Sequence, residues 1–419
     1  MKKRLLSLHV IILFIGMIFL YENVSYIFGY WGFTFNLNII RCFFSIIALL
    51  LFTNFFLQKK IFDFSRVFLI YWLFFIFIPI SVLFSVSLIN FYLYFCHISF
   101  IFLIGFFITF RRKIIFTKKI FKPKSFEKNK YFWFFLTLIL SIPLVEILVN
   151  FNLNSFNLFD VYGIRLEARE SGNRLIGYLK ESLSRVVYPF FLIYGYIHKK
   201  WFLFFFGFLS IILVFGSTGA LKSIIAIIPI SFLFIKSRNY KTVQNTLLFL
   251  LYFIVFFPLI ETLFFETYFL TDLPSRRLLF VPGLFENAYF TEYINNSQFY
   301  LNSLLKSFNQ NPESFTMHIG GKYFDKPEMN ANVGLVIDGF INLGYFGVIL
   351  HAIFVYIIIA IINGYKMSPK YFGIFFVYFY YMNTSFIGTL LLTHGLLFLL
   401  IFFYFLNTNH ESTSYMSKF

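Results

Sequence analysis

Two pairs of arginines are the residues of this chain best suited to chemistry. Arg165 and Arg169 are four apart, which would place them on one face of a helix, and Arg276 and Arg277 are adjacent. Guanidinium forks match phosphate oxygens bidentately, so either pair suits a phosphate clamp. Each pair also has a plainer reading. Arg165 and Arg169 can pair with Glu167 and Glu170 on a solvated face, and Arg276 and Arg277 can anchor a loop to lipid headgroups. Lys222 follows Gly216, Ser217, Thr218 and Gly219 and heads an apolar run, where a lysine costs free energy unless it snorkels or pairs. It is a third cation for the same kind of cup.

The least generic stretch runs from His318 to Gly347 and is dense in Asn, Gly and Asp. Asn330, Asn332 and Asp338 approach an apolar run, where buried polar groups must find partners. Capping and turn formation are the ordinary uses of Asn and Asp. His318 alone is more often a surface histidine than a base. Upstream, Tyr289 stands with Phe290 and Tyr293 in an aromatic stretch after the Arg276–Arg277 pair.

The elements that must hold these residues are membrane helices. The chain has 419 residues, 59% hydrophobic and 13% charged, too little charge to cover a soluble domain. A spanning helix needs ~20 apolar residues, and candidate runs lie at 5–21, 37–57, 67–88, 90–110, 131–149, 183–197, 201–216, 221–235, 246–266, 340–362, 371–387 and 390–406. The expected fold is all-α: a single polytopic membrane domain of about 12 transmembrane helices. The first run is read as a retained helix, because Glu22, Asn23 and Val24 make no small-residue cleavage site. Cys42 and Cys96 lie inside apolar runs and form neither a disulfide framework nor a metal motif.

Charge placement orients the bundle. The net charge of +17 would suggest nucleic acid in a soluble protein. With the N-terminus cytoplasmic and the connections alternating, the inner side receives 23 basic and three acidic residues, and the rest of the chain holds 12 and 15. That is the positive-inside pattern, and the basic loop 111–130 is its strongest part. Two connections on the outer side are long, roughly 150–182 and 267–339. The second carries amphipathic material expected to fold onto the membrane surface.

At these outer segments the chain resembles the Wzy-type O-antigen or capsule polymerases. Arg276, Arg277, Phe280 and Pro282, followed by Tyr289, match one part of that family's pattern. Asn330, Asn332, Gly334, Asp338, Asn342, Gly344 and Gly347 match another. The 216–223 segment and the closing Thr393, His394 and Gly395 are also similar, whereas a strict Arg-x10-Gly from Arg165 or Arg169 is not matched. The resemblance implies a glycosyltransferase of the bacterial inner membrane, with both termini cytoplasmic. It would join oligosaccharide repeats carried on undecaprenyl pyrophosphate at the outer leaflet.

Such a donor carries its energy in the glycosyl–pyrophosphate bond, so no cofactor is expected. The sequence likewise lacks a Walker loop, a dinucleotide fingerprint and a paired metal motif. Partners implied are the lipid-linked oligosaccharide, membrane lipid and a chain-length regulator protein, with no nucleic acid. On this resemblance Arg165, Arg169, Lys222, Arg276 and Arg277 hold the pyrophosphate. Tyr289, Asn330 and Asn332 contact substrate, and Asp338 or His318 is the base, with Glu286 or Glu328 in reserve. The rival readings are a lipid-linked oligosaccharide flippase or other transporter, which does not need the long second loop, and an O-antigen ligase. The orientation has a direct test. A reporter active only in the cytoplasm should be on when fused at Lys124 and off when fused at Asn309; the opposite pattern would invert the topology.

Overall fold

Long apolar runs leave the backbone one solution in lipid, which is to satisfy every N–H and C=O within a helix. The computed structural model describes residues 3–57, 63–110, 140, 141, 144, 147, 148, 174–217, 222–301 and 314–405, and among them helix is the only regular structure. The helices are α1 (Lys3–Phe28), α2 (Ile39–Phe56), α3 (Phe64–Ser85), α4 (Phe91–Phe110), α5 (Arg174–Arg185), α6 (Val187–Ile197) and α7 (Trp201–Ser217). They continue as α8 (Lys222–Ile235), α9 (Tyr240–Phe265), α10 (Val281–Tyr293), α11 (Phe315–Phe324), α12 (Leu335–Gly364), α13 (Phe372–Met382) and α14 (Leu396–Phe405). The basic connection 111–130, Arg165 and Arg169, and nearly all of the expected span 131–149 lie outside the described residues.

Six described helices are long and apolar enough to cross a membrane: α1 (extended to Trp31), α2, α3, α4, α9 and α12. The expected spans 183–197, 201–216, 221–235, 371–387 and 390–406 fold as the shorter helices α6, α7, α8, α13 and α14. In the last two the chain leaves the α-helical path between Met382 and Leu396, passing through a turn and a π segment at Thr389–Thr393. Polar residues set several helix starts. The Asn38 side chain accepts from Arg41 N at 3.1 Å, Asp63 from Arg66 N at 3.0 Å and Asn90 from Leu93 N at 2.8 Å. Bulky side chains such as Phe43, Phe44, Phe55, Phe202 and Phe249 stand exposed on the helix faces, as lipid-facing residues do.

The chain divides into two compact units. Unit 1 holds residues 1–115, 244–360 and 382–387, and unit 2 holds 116–243, 361–381 and 388–419. In unit 1, α3 is buried along its whole candidate span, whereas α2 and α9 leave most of theirs open. In unit 2, α5 to α8 pack with α13 and α14, and Phe190 of α6 stacks on Tyr371 and against Phe402 and Phe403.

The expected span at 340–362 is present as the long arm 345–364 of a hairpin that the sequence did not foresee. The backbone breaks at Leu343 and Gly344, the latter at φ 61° and ψ −147°, in the left-handed region that favours glycine. On either side the chain folds back on itself. A Cβ on Gly339 would lie 2.6 Å from the Gly347 carbonyl oxygen, and a Cβ on Gly347 would overlap the Gly339 carbonyl. His351 Nδ1 also donates to the Leu335 carbonyl at 2.7 Å. In a straight helix these partners would stand roughly 12 and 24 Å apart. Both pairs are symmetric about position 343, so 335–343 and 345–364 run antiparallel. Two glycines facing each other allow this backbone approach, as small residues do in membrane helix pairs.

The expected surface-lying loop is corrected in the same way. Nine of the 13 residues of α10 are buried, with Gly283 against Ile80 and Leu83 of α3 and Glu286 against His97 of α4. Its aromatic and aliphatic residues face protein, so the helix is held within the bundle instead of floating at an interface. Gly347→Ala should therefore cost about 1–3 kcal/mol or more through overpacking, read as a lower melting temperature in detergent. Gly364→Ala, whose Cβ meets nothing within 4 Å, should melt like the wild type.

Candidate functional site

The short arm of the hairpin carries polar residues into unit 1. Leu335 lies level with His351, roughly 10 Å along the helix from the turn at a rise of ~1.5 Å per residue. His97 stands at a similar distance from the start of α4. Asp338 and Asn342 on the short arm are fully buried. Asp338 Oδ1 accepts from Asn342 Nδ2 at 2.8 Å, and Oδ2 accepts from the Ile387 amide at 2.6 Å. Asn342 Oδ1 in turn accepts from Tyr300 N at 2.5 Å. The Tyr300 hydroxyl reaches His351 Nε2 at 3.0 Å; because Nδ1 donates to Leu335, Nε2 is the acceptor. Asp338 therefore organises three backbone segments, with both carboxylate oxygens engaged.

Asn330 and Asn332 precede this arm and are exposed. Asn330 Oδ1 accepts from Thr316 Oγ1 at 3.0 Å. Asn332 turns its carboxamide outward between the buried Ala331 and Val333. Ala331, Val333 and Gly334 of this non-helical stretch are buried in protein, the condition under which such backbone is tolerated within a membrane protein.

Tyr289 is fully buried, its ring tilted against Tyr293 and edge-on to Phe386, and within electrostatic reach of Asp338. One turn before it, Glu286 Oε2 meets His97 Nε2 at 2.7 Å, with both side chains buried. The sequence held Glu286 in reserve and passed over His97. A histidine inside an apolar run was the available signal, since ionisable residues within membrane segments are functional candidates by default.

The arginine pair splits. Arg276 is buried, bonded to Asp272 through Nε at 2.9 Å and through Nη2, and its guanidinium lies 4.3 Å from the Phe28 ring centre and 5.2 Å from that of Trp31. Lys326 stacks on Trp31 at 3.4 Å. These are fastening interactions between α1 and the segments before α10 and after α11. Arg277 has a half-exposed side chain and a distant contact to Asp272 at 3.8 Å. It is the member of the pair able to receive an anion. The segment between α9 and α10 is tied by Glu261, whose carboxylate accepts from Thr267 Oγ1 and from the amides of Phe269, Leu270 and Thr271 at 2.8–3.3 Å.

His318 belongs to a different group. Glu292 at the end of α10 accepts from Lys322 Nζ at 2.6 and 2.9 Å and from Tyr323 OH at 2.9 Å, with His318 Nε2 at 3.4 Å. This cluster latches α11 to α10.

Unit 2 has a polar cluster of its own, in which His394 was a motif residue and Arg185, Glu181 and Tyr381 were not foreseen. Arg185, at the end of α5, is buried; it pairs with Glu181 and donates through Nε to Tyr381 OH at 3.0 Å. Its Nη1 reaches Thr393 O at 3.3 Å and His394 Nδ1 at 2.6 Å. Arginine can only donate, so His394 accepts at Nδ1 and carries its proton on Nε2. The Tyr381 ring stacks on His394 at 4.2 Å and under Arg185 at 4.8 Å. Arg185 and Glu181 fell at the border of an expected loop and span, which hid them. Lys222 is the first residue of α8, and its side chain lies outside the described structure, as do Arg165 and Arg169.

Among the described residues, no group of three or more His, Cys, Asp and Glu could hold a metal ion. No protein-family model, curated protein or solved structure matches the chain.

The Glu292 latch is pH-dependent. Burial raises the Glu292 carboxyl, but hydrogen bonds from Lys322, Tyr323 and His318 outweigh it and hold the group below its ordinary value. A depressed carboxylate contributes stability above its unfolded pKa and loses it as pH falls through the folded one. Glu292→Gln should therefore melt below the wild type at neutral pH. The difference should close on acidification through and below the ordinary glutamate range. A gap that stays constant with pH would mean that the latch is held by shape, not charge.

Proposed function

We propose that this protein joins oligosaccharide repeats carried on undecaprenyl pyrophosphate, transferring a glycan at the extracytoplasmic face of a bacterial inner membrane. The residues that resemble the Wzy-type polymerases are the basis of this reading. The observation that supports it best is that one unit presents both an exposed Asn332 carboxamide and a half-exposed Arg277. A sugar–pyrophosphate on a lipid anchor asks for those two features: amide hydrogen bonds for hydroxyls beside the bilayer, and a fixed cation where charge develops on the departing pyrophosphate. On this reading Arg277 takes the pyrophosphate, Arg276 holds the loop that carries it, and both termini with the basic connections are cytoplasmic. Arg185 in unit 2, already neutralised by Glu181 and donating to His394, serves that unit in a structural cluster. About twelve spans, including those outside the described residues, complete the topology.

A transporter of the same lipid-linked glycan is the second reading, because broken helices meeting at membrane depth are also how transporters hold anionic substrates. Cells lacking the protein discriminate the two. Loss of polymerisation leaves single capped repeats or none at the surface, without ladders. Loss of transport traps lipid-linked repeats on the inner leaflet, and that outcome would replace the polymerase reading.

Arg277→Lys keeps the charge and removes the fork. Hydrogen bonds to charged groups contribute ~1.5–3 kcal/mol, and each ~1.4 kcal/mol is tenfold in rate. Arg277→Lys should therefore lose roughly tenfold or more in glycan elongation at normal protein level, and Arg277→Ala more. Arg276→Ala should instead lower the amount of folded protein. Elongation at the normal rate by Arg277→Lys would make that residue a lipid anchor.

A further inference from the structure

Among the described residues, two atoms of α10 are buried without a hydrogen-bond partner: Glu286 Oε1 and the Tyr289 hydroxyl. They belong to residues three apart, which share a helix face, and both residues are fully shielded. Glu286 is fixed through its other oxygen, which His97 holds at 2.7 Å. Tyr289 in turn lies within electrostatic reach of the fully buried Asp338. An interior carboxylate oxygen and a phenol left unmatched both cost free energy, and an apolar residue of similar shape would remove that cost. Packing alone gives no reason to keep them. An acceptor beside a donor–acceptor is what a hydroxyl group requires on binding.

We propose that Glu286 and Tyr289 form a binding site for a sugar hydroxyl, with Glu286 Oε1 as its proton acceptor. The assignment rests on the glycosyl-transfer reading. The hydroxyl of the incoming repeat donates to Glu286 Oε1 while its oxygen accepts from Tyr289 OH. As the hydroxyl oxygen bonds to the anomeric carbon of the donor, its proton passes to Glu286. The bond from that carbon to the pyrophosphate oxygen breaks, and its electron pair leaves with the pyrophosphate. Asp338, with both oxygens bonded to Asn342 and to the Ile387 amide, is left an organising role. The π segment Thr271–Phe280 leads directly into α10, and π turns occur frequently at functional sites. Movement there would open Glu286 and Tyr289 without disturbing the long helices.

The test uses full-length protein in lipid nanodiscs and lipid-linked repeats isolated from membranes of a strain lacking it, with elongation read as a glycan ladder. General-base catalysis contributes about 10²–10⁴-fold, so Glu286→Gln should lower kcat by that factor with little change in KM. Tyr289→Phe removes a hydroxyl that supports no hydrogen bond in the folded protein. It should melt at or above the wild-type temperature, yet raise KM for the repeat about tenfold, the value of one ~1.4 kcal/mol contact. That combination is not expected of a structural residue. Should Glu286→Gln fail to accumulate, the Tyr289→Phe result decides: an unchanged KM overturns the site. A Glu286→Gln variant elongating within threefold of wild type overturns it as well. A wild type that makes no ladder removes the glycosyl-transfer reading and the site together, whereas an active wild type beside equally active variants removes the site alone.

Discussion

Backbone meets backbone at Gly339 and Gly347, and unit 1 is arranged around that contact. Because neither residue has a Cβ, the arm 335–343 can lie against 345–364 closely enough for His351 to reach the Leu335 carbonyl. The arm then delivers Asp338 to the Ile387 amide and Asn342 to Tyr300. Any side chain at either glycine pushes the arms apart, and those bonds have no other means of forming. A van der Waals constraint thus decides where several ionisable and amide groups stand.

A second regularity is that most buried charges are already answered by local partners. Glu261 is surrounded by amides at a helix start, where the backbone presents unpaired N–H groups. Asp272 neutralises Arg276, and Glu181 neutralises Arg185. Burying an ion is tolerable only with such matching. Against that background the partly answered groups acquire meaning: Arg277, with its distant carboxylate, and Glu286, with one oxygen bonded and one not. Residue type alone did not single them out, since the same chain holds arginines and glutamates whose partners consume them.

The helical, membrane-spanning character was legible in the sequence because it depends on runs of apolar residues, and those are local. The break at Gly344 was visible only as a motif glycine, since nothing local says that residues 339 and 347 touch. Asp338 was recognisable as a polar group approaching lipid and Asn342 as a motif residue, but their partners Ile387 and Tyr300 are more than forty positions away. His97 was hidden by the very run that made α4 recognisable. Arg185 was hidden by boundary placement, and its neighbours Tyr381 and His394 come from the far end of the chain. Neutralisation of Arg276 by an aspartate four residues earlier was readable in principle; that it left Arg277 open was not.

The hairpin also sets an order of assembly in the membrane. A segment as short as 335–343, carrying Asp338 and Asn342, is too brief and too polar to partition into lipid alone, whereas 345–364 is long enough to be inserted on its own. During synthesis the short arm must therefore be carried along with the preceding loop. It can return to the bundle only after its long partner is seated and offers Gly347 as a landing point. Docking of the short arm is thus a tertiary step that follows insertion of its long partner.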